Sequence, residues 1–112
     1  MPGRMILRTS GAVEALPGPL SMAELCSRIG ADLPDTVRLA GGYVMLVNDR
    51  GYETKPVESV EPDGTHVVEL RVVRALLPLN VEATRLYHGV CRPGTTHQIV
   101  GDVAVVPDSD FA

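Results

Sequence analysis

Turn-forming residues interrupt this chain so often that only short strands and short helices fit between them. Pro17-Gly18-Pro19, Gly30, Gly41-Gly42, Asn48–Gly51, Glu61–Gly64, Pro78, Gly89 and Pro93-Gly94 divide it along its whole length. The runs between the breaks are apolar and often rich in Val. Arg4–Thr9 and Ala12–Leu16, joined by Ser10-Gly11, read as a hairpin. Thr36–Ala40 and Tyr43–Val47 are strand-like around Gly41-Gly42, and the Asn48–Gly51 turn leads into Tyr52–Val57. His66–Val73 follows the turn at Glu61-Pro62-Asp63-Gly64. Arg71–Leu77 fits either the close of a strand or the opening of a short helix, and Pro78 ends it in both cases. Ile99–Val106 reads as a last strand, interrupted by Gly101-Asp102.

Two helices carry explicit start and stop signals. Ser21 caps the first, over about 22–29, with Glu24 placed to reach back to the Ser21 N–H. Leu20 and Leu25 sit at staple positions, Met22, Leu25, Cys26 and Ile29 share a face, and Gly30 stops the helix. Asn80 caps the second, Val81–His88, with Gly89 just beyond it. The expectation is one small α+β domain over 1–106, a mainly antiparallel sheet with two short helices, followed by a flexible C-terminal tail, 107–112.

Composition narrows the function. The 112 residues are 45% hydrophobic but include one Phe, three Tyr and no Trp, so the core has to be aliphatic. A net charge of −4 speaks against a non-specific nucleic-acid binder, which needs a concentrated basic face. No apolar run approaches the roughly 20 residues of a membrane span. Two cysteines, Cys26 and Cys91, make no disulfide framework. These features predict a cytoplasmic protein with reduced thiols, no cofactor, and neither nucleic acid nor membrane as partner.

The densest polar cluster is Asn80, Thr84, Tyr87, His88, Arg92, Thr95, Thr96 and His97. Asn80, Thr84, Tyr87 and His88 fall on one helical face, which leads into the glycine-bearing loop with Arg92 and His97. An Arg, hydroxyls and a ring suit a small anionic or nucleotide-like ligand: Arg92 for a phosphate, Thr95 and Thr96 as donors, Tyr87 for stacking. A structural account competes with it, in which Asn80 is an N-cap, Thr84 a packing residue and Tyr87 core. His88, Cys91 and His97 with Asp102 match no standard zinc spacing. Cys91 beside a His is a nucleophile pair only if geometry makes it one. No phosphate loop, dinucleotide fingerprint, nucleophile elbow or zinc-protease motif is present. Glu58, Glu61 and Asp63 look like solvated turn charges. Val67–Val73 and Val103–Val106 are apolar enough to be interior strands, the favoured reading, with an exposed edge for pairing as the alternative.

The order of these signals resembles a family of small proteins, a domain of unknown function, found mostly in phages, plasmids and other bacterial mobile elements. The likeness rests on the opening Met5–Glu14 and the helix Met22–Ile29, the Val47–Gly51 turn, the Leu-Pro-x-Asn-x-x-Ala-Thr-x-Leu-Tyr run of Leu77–Tyr87, and the Ile-x-Gly-Asp-Val ending from Ile99. The chain departs from that pattern in two longer stretches, about Glu53–Leu76 and His88–Gln98, and surface insertions of this kind often carry function. The resemblance implies a mobile-element context and a fold but no activity; the Asn80–His97 surface makes the leading expectation a non-enzymatic accessory protein that acts by binding, either sequestering a small nucleotide-like ligand or engaging a host protein. The alternatives are an interaction module that dimerises through a sheet edge and a small hydrolase using His88, His97 and Asp102.

Overall fold

The computed structural model of the chain describes residues 3–32, 34–48, 51–91 and 93–111. Seven strands run in the order β1 (Arg4–Leu7), β2 (Val13–Leu16), β3 (Pro34–Arg38), β4 (Tyr43–Asn48), β5 (Tyr52–Val60), β6 (His66–Ala75) and β7 (Val103–Pro107). Helix α1 (Met22–Ile29) lies between β2 and β3, and α2 (Val81–His88) between β6 and β7. The result is the expected small α+β fold, and every strand pair is antiparallel.

Five strands form one sheet in the order β2-β1-β7-β4-β3, which puts β7 at the centre. Successive side chains of a strand point to opposite faces, and here both faces are covered. Ile6, Val44, Leu46, Ala104 and Val106 pack on one side with Leu25 and Ile29 of α1. Met5, Leu7, Met45, Val47, Val103 and Val105 pack on the other with Ala83, Leu86 and Tyr87 of α2. This double cover explains why β4 and β7 read as unbroken apolar runs rather than alternating ones.

The helix signals act locally as their chemistry requires. Ser21 Oγ accepts the Glu24 N–H at 3.1 Å, and Gly30 closes α1 in the left-handed region at φ 70°. Glu24 reaches back to the Ser21 hydroxyl, at 3.2 Å, rather than to its N–H. Of the predicted apolar face only Leu25 and Ile29 are buried, while Met22 is exposed and Cys26 half-buried. The expected tail begins with Pro107 inside β7 and continues as a 3-10 turn, Asp108–Phe111. Asp110 there receives two hydrogen bonds from the Arg4 guanidinium, both 2.7 Å.

The ambiguous Arg71–Leu77 stretch is strand as far as Ala75. β5 and β6 make a separate two-stranded sheet joined by the turn at Glu61–Thr65, where Glu61 N–H bonds to Thr65 C=O at 2.8 Å. The molecule measures 55 × 26 × 25 Å, and its radius of gyration is 16.1 Å against about 13 Å for a compact chain of this length. A ten-residue strand at about 3.3 Å per residue accounts for the extra length. The hairpin therefore projects from the body as an arm.

Candidate functional site

The predicted cluster around α2 divides into structural members and surface members. Asn80 is buried and has every polar group occupied: Oδ1 accepts the Ala83 N–H at 3.0 Å, and Nδ2 donates to Leu7 C=O and Gly101 C=O, both at 3.0 Å. It caps α2 and ties the helix to β1 and to the entry of β7. Thr84 Oγ1 accepts the Ile99 N–H at 2.9 Å and faces Ile99 C=O at 3.3 Å, fixing the returning loop on α2.

Tyr87 is half-buried against the core face that α2 covers. Its ring meets His97 edge-on, with centroids 5.6 Å apart, and its hydroxyl hydrogen-bonds to Cys91, which pushes the phenol above its ordinary range. His88 is exposed, with Nε2 2.7 Å from the His97 carbonyl. His97 in turn lies 5.2 Å from the Tyr52 ring, and its Nε2 is 3.3 Å from the Tyr52 hydroxyl. Tyr52, at the first position of β5, also donates to the Gln98 carbonyl, and burial pushes its phenol upward. Thr95 is half-buried and Thr96 exposed, while Arg92 lies outside the described residues.

This brings Tyr87, His88 and His97 together, with Tyr52 as a member that spacing in the sequence did not reveal. The group clasps the root of the arm to the α2–β7 loop. Gly51 and Gly101 complete the clasp by close approach. A Cβ on Gly51 would fall 2.6 Å from Val100 Cγ2, and one on Gly101, at φ 79°, would fall 2.9 Å from Leu77 Cδ1.

Two cavities of about 340 Å³ each lie near the start and the end of this cluster's helix. One is lined by Leu7–Val13 and the start of α2, including Asn80; the other lies between Leu39, Ala40 and the end of α2. Of the described candidates only Asn80 lines either of them. Asp102 is engaged elsewhere, accepting the Thr9 N–H and an Arg8 Nη1 hydrogen, each at 2.9 Å. Arg8 also binds Glu14 through two 2.9 Å hydrogen bonds. Among the described residues no group of three or more His, Cys, Asp or Glu converges on a metal position.

The larger open surface is the arm. Residues opposite each other in an antiparallel pair share a face. The register pairs Thr54 with Val72, Pro56 with Leu70, Glu58 with Val68 and Val60 with His66 on one face. Lys55 with Arg71, Val57 with Glu69 and Ser59 with Val67 form the other. Val60, Val68, Leu70, Val72 and the extra residue at the β-bulge, Val73, are between 54% and 73% exposed. The favoured interior reading thus holds for Val103–Val106 but not for Val67–Val73, which is an exposed edge strand. Its alternation of Val68, Leu70, Val72 with Glu69, Arg71 is the signal, and it marks one apolar face without saying whether anything covers it.

No protein-family model, curated protein or solved structure matches the chain.

Proposed function

We propose that this protein is a non-enzymatic binding module whose working surface is the β5–β6 arm, presented to another protein. A single observation carries the reading: five aliphatic side chains stand more than half exposed on a two-stranded sheet that, among the described residues, has no third strand and no covering layer. Exposed apolar patches on folded proteins mark interaction sites, and a two-stranded sheet alone in water is only marginally stable. The aromatic and imidazole clasp at Tyr52, Tyr87 and His97 supports the same role, since it fixes the root and so orients the whole projection. The α2–β7 cluster favours the small-ligand role less, because Asn80 and Thr84 spend their polar groups on the fold.

A photo-crosslinking amino acid placed at Leu70, compared with one at the exposed Val81 on α2, tests this in living cells. Covalent protein adducts at position 70 in clear excess over position 81 are expected. Equal or absent adducts at position 70 would leave the arm without a binding role.

A further inference from the structure

We propose that the protein seated on the arm is a second copy of this chain, paired antiparallel through β6 about a two-fold axis at Leu70. The proposal rests on the reading of the arm as a binding surface and goes on to name the occupant and its register.

The backbone decides which edge is open. The Glu61 N–H to Thr65 C=O bond fixes the alternation of the arm's ladder, because hydrogen-bonded and non-hydrogen-bonded pairs alternate in antiparallel strands. Counting down the register, Ser59–Val67, Val57–Glu69 and Lys55–Arg71 are hydrogen-bonded pairs; Glu58–Val68, Pro56–Leu70 and Thr54–Val72 are not. The main-chain groups of Val68, Leu70 and Val72 therefore point away from β5, along the free edge of β6. On the other edge the outward position at the same level is Pro56, which has no N–H to give. A strand can add to β6 with its ladder intact, and to β5 only with a missing donor.

Charge decides what adds and in which register. Inside the arm Arg71 lies directly opposite Lys55, a like-charge pair, and the acid nearest to it, Glu69 at 3.7 Å, is two residues along its own strand. A two-fold axis at Leu70 sets Glu69 against Arg71 of the second copy, and Arg71 against Glu69 of the second copy. Both are non-hydrogen-bonded positions, where side chains approach closest. The row across the joined sheet then runs Lys55, Arg71, Glu69 and Val57, so Arg71 has an acid on its open side where the lone arm offers it only Lys55 opposite. An axis at Val68 would set Arg71 against Thr65 and Glu69 against Val67, with no ion pair. On the opposite face the Leu70 axis sets Val68 against Val72 and Leu70 against its own twin. Two arms make four strands, above the three or so that a sheet with one apolar face needs. The contact is isologous and closes at two copies.

The test uses charge reversal in the intact chain. Glu69→Arg faces Val57 and Arg71→Glu faces Lys55 across the hairpin, and each single reversal also turns the 3.7 Å Glu69–Arg71 contact along β6 into a like-charge pair, which the double variant restores to opposite charges. The wild-type protein is expected at twice its 12.0 kDa chain mass in sedimentation and native mass spectrometry. Each single variant, which would oppose like charges twice, should dimerise about tenfold more weakly or worse. A mixture of the two single variants should form a one-to-one heterodimer, and the Glu69→Arg/Arg71→Glu double variant should regain the wild-type dimer. A wild-type dimer indifferent to both reversals would overturn the register. A wild-type monomer at high micromolar concentration would overturn the second copy as occupant, and crosslinks from position 70 to other proteins would then show the binding reading standing without it. A monomer with no such crosslinks would end both.

Discussion

The body and the arm of this molecule are built from the same material and end in opposite conditions. Both are antiparallel sheets rich in aliphatic residues, continuous apolar runs in β4 and β7 of the body and apolar residues alternating with charged ones in β6 of the arm. In the body each face of β1, β4 and β7 meets a helix, and residues such as Ile6, Leu46, Val103 and Val105 have almost no solvent contact. In the arm the alternation leaves Val68, Leu70 and Val72 open to water. The difference lies in the connections. The chain between β2 and β3 contains α1 and that between β6 and β7 contains α2, so each face of the five-stranded sheet receives a layer. β5 passes to β6 through a tight turn with no residues to spare for a cover. Alternation thus specifies which face is apolar, while the length and content of the connection specify whether that face is satisfied within the chain.

Perturbations ranked by size can break this contrast. Leu46→Ala in the body opens a cavity beneath α1 and should cost about 2–5 kcal/mol, read as a large drop in thermal midpoint. Asn80→Ala removes the α2 cap and strips partners from two buried carbonyls, for about 1–3 kcal/mol by denaturant unfolding. A loss under about 0.5 kcal/mol there would mean that α2 is not held to the body as described.

Acid should probe the C-terminal turn. Hydrogen bonds from Arg4 hold the Asp110 carboxyl below its ordinary value. Its folded value is thus lower than its unfolded one, so the stability it confers is complete above about pH 4 and is lost as pH falls through the folded value. Asp110→Asn should lower the melting temperature at neutral pH and flatten its decline below about pH 4. An unchanged acid limb would place the turn outside the cooperative body.

The smallest effect belongs to the arm. Leu70→Ser in dilute, monomeric protein should move unfolding stability by no more than about 0.5 kcal/mol. In the same samples, amide exchange should be fast along β5 and β6 and slow along β4 and β7. A cost of 2 kcal/mol or more for Leu70→Ser would show that the arm packs on its own body and would erase the contrast.

What the sequence made legible follows from how local each signal is. The caps at Ser21 and Asn80, the left-handed stop at Gly30 and the turn at Glu61–Gly64 act within a few residues of themselves, and each sits where its chemistry places it. Strand ends were less legible. β3 starts at Pro34 and stops at Arg38, because Ala40–Gly42 turn as a 3-10 segment, and Gly101 delays the last strand to Val103. The first shift depends on pairing with the neighbouring β4, the second on β1 and β4 far away in the chain. The cluster on α2 was half legible: helical spacing brings Tyr87 and His88 onto neighbouring ground, but Tyr52 arrives from 45 residues before His97, and only the folded register supplies it. The work of Asn80 was legible only as a cap. Its bonds to Leu7 and Gly101 require the completed sheet.

One ring on the arm limits what the molecule can become. With β6 engaged, the sheet's outer rims are both β5, and each presents Pro56 where an incoming strand would look for a hydrogen. In the proposed dimer that missing rung works against growth of the sheet beyond four strands.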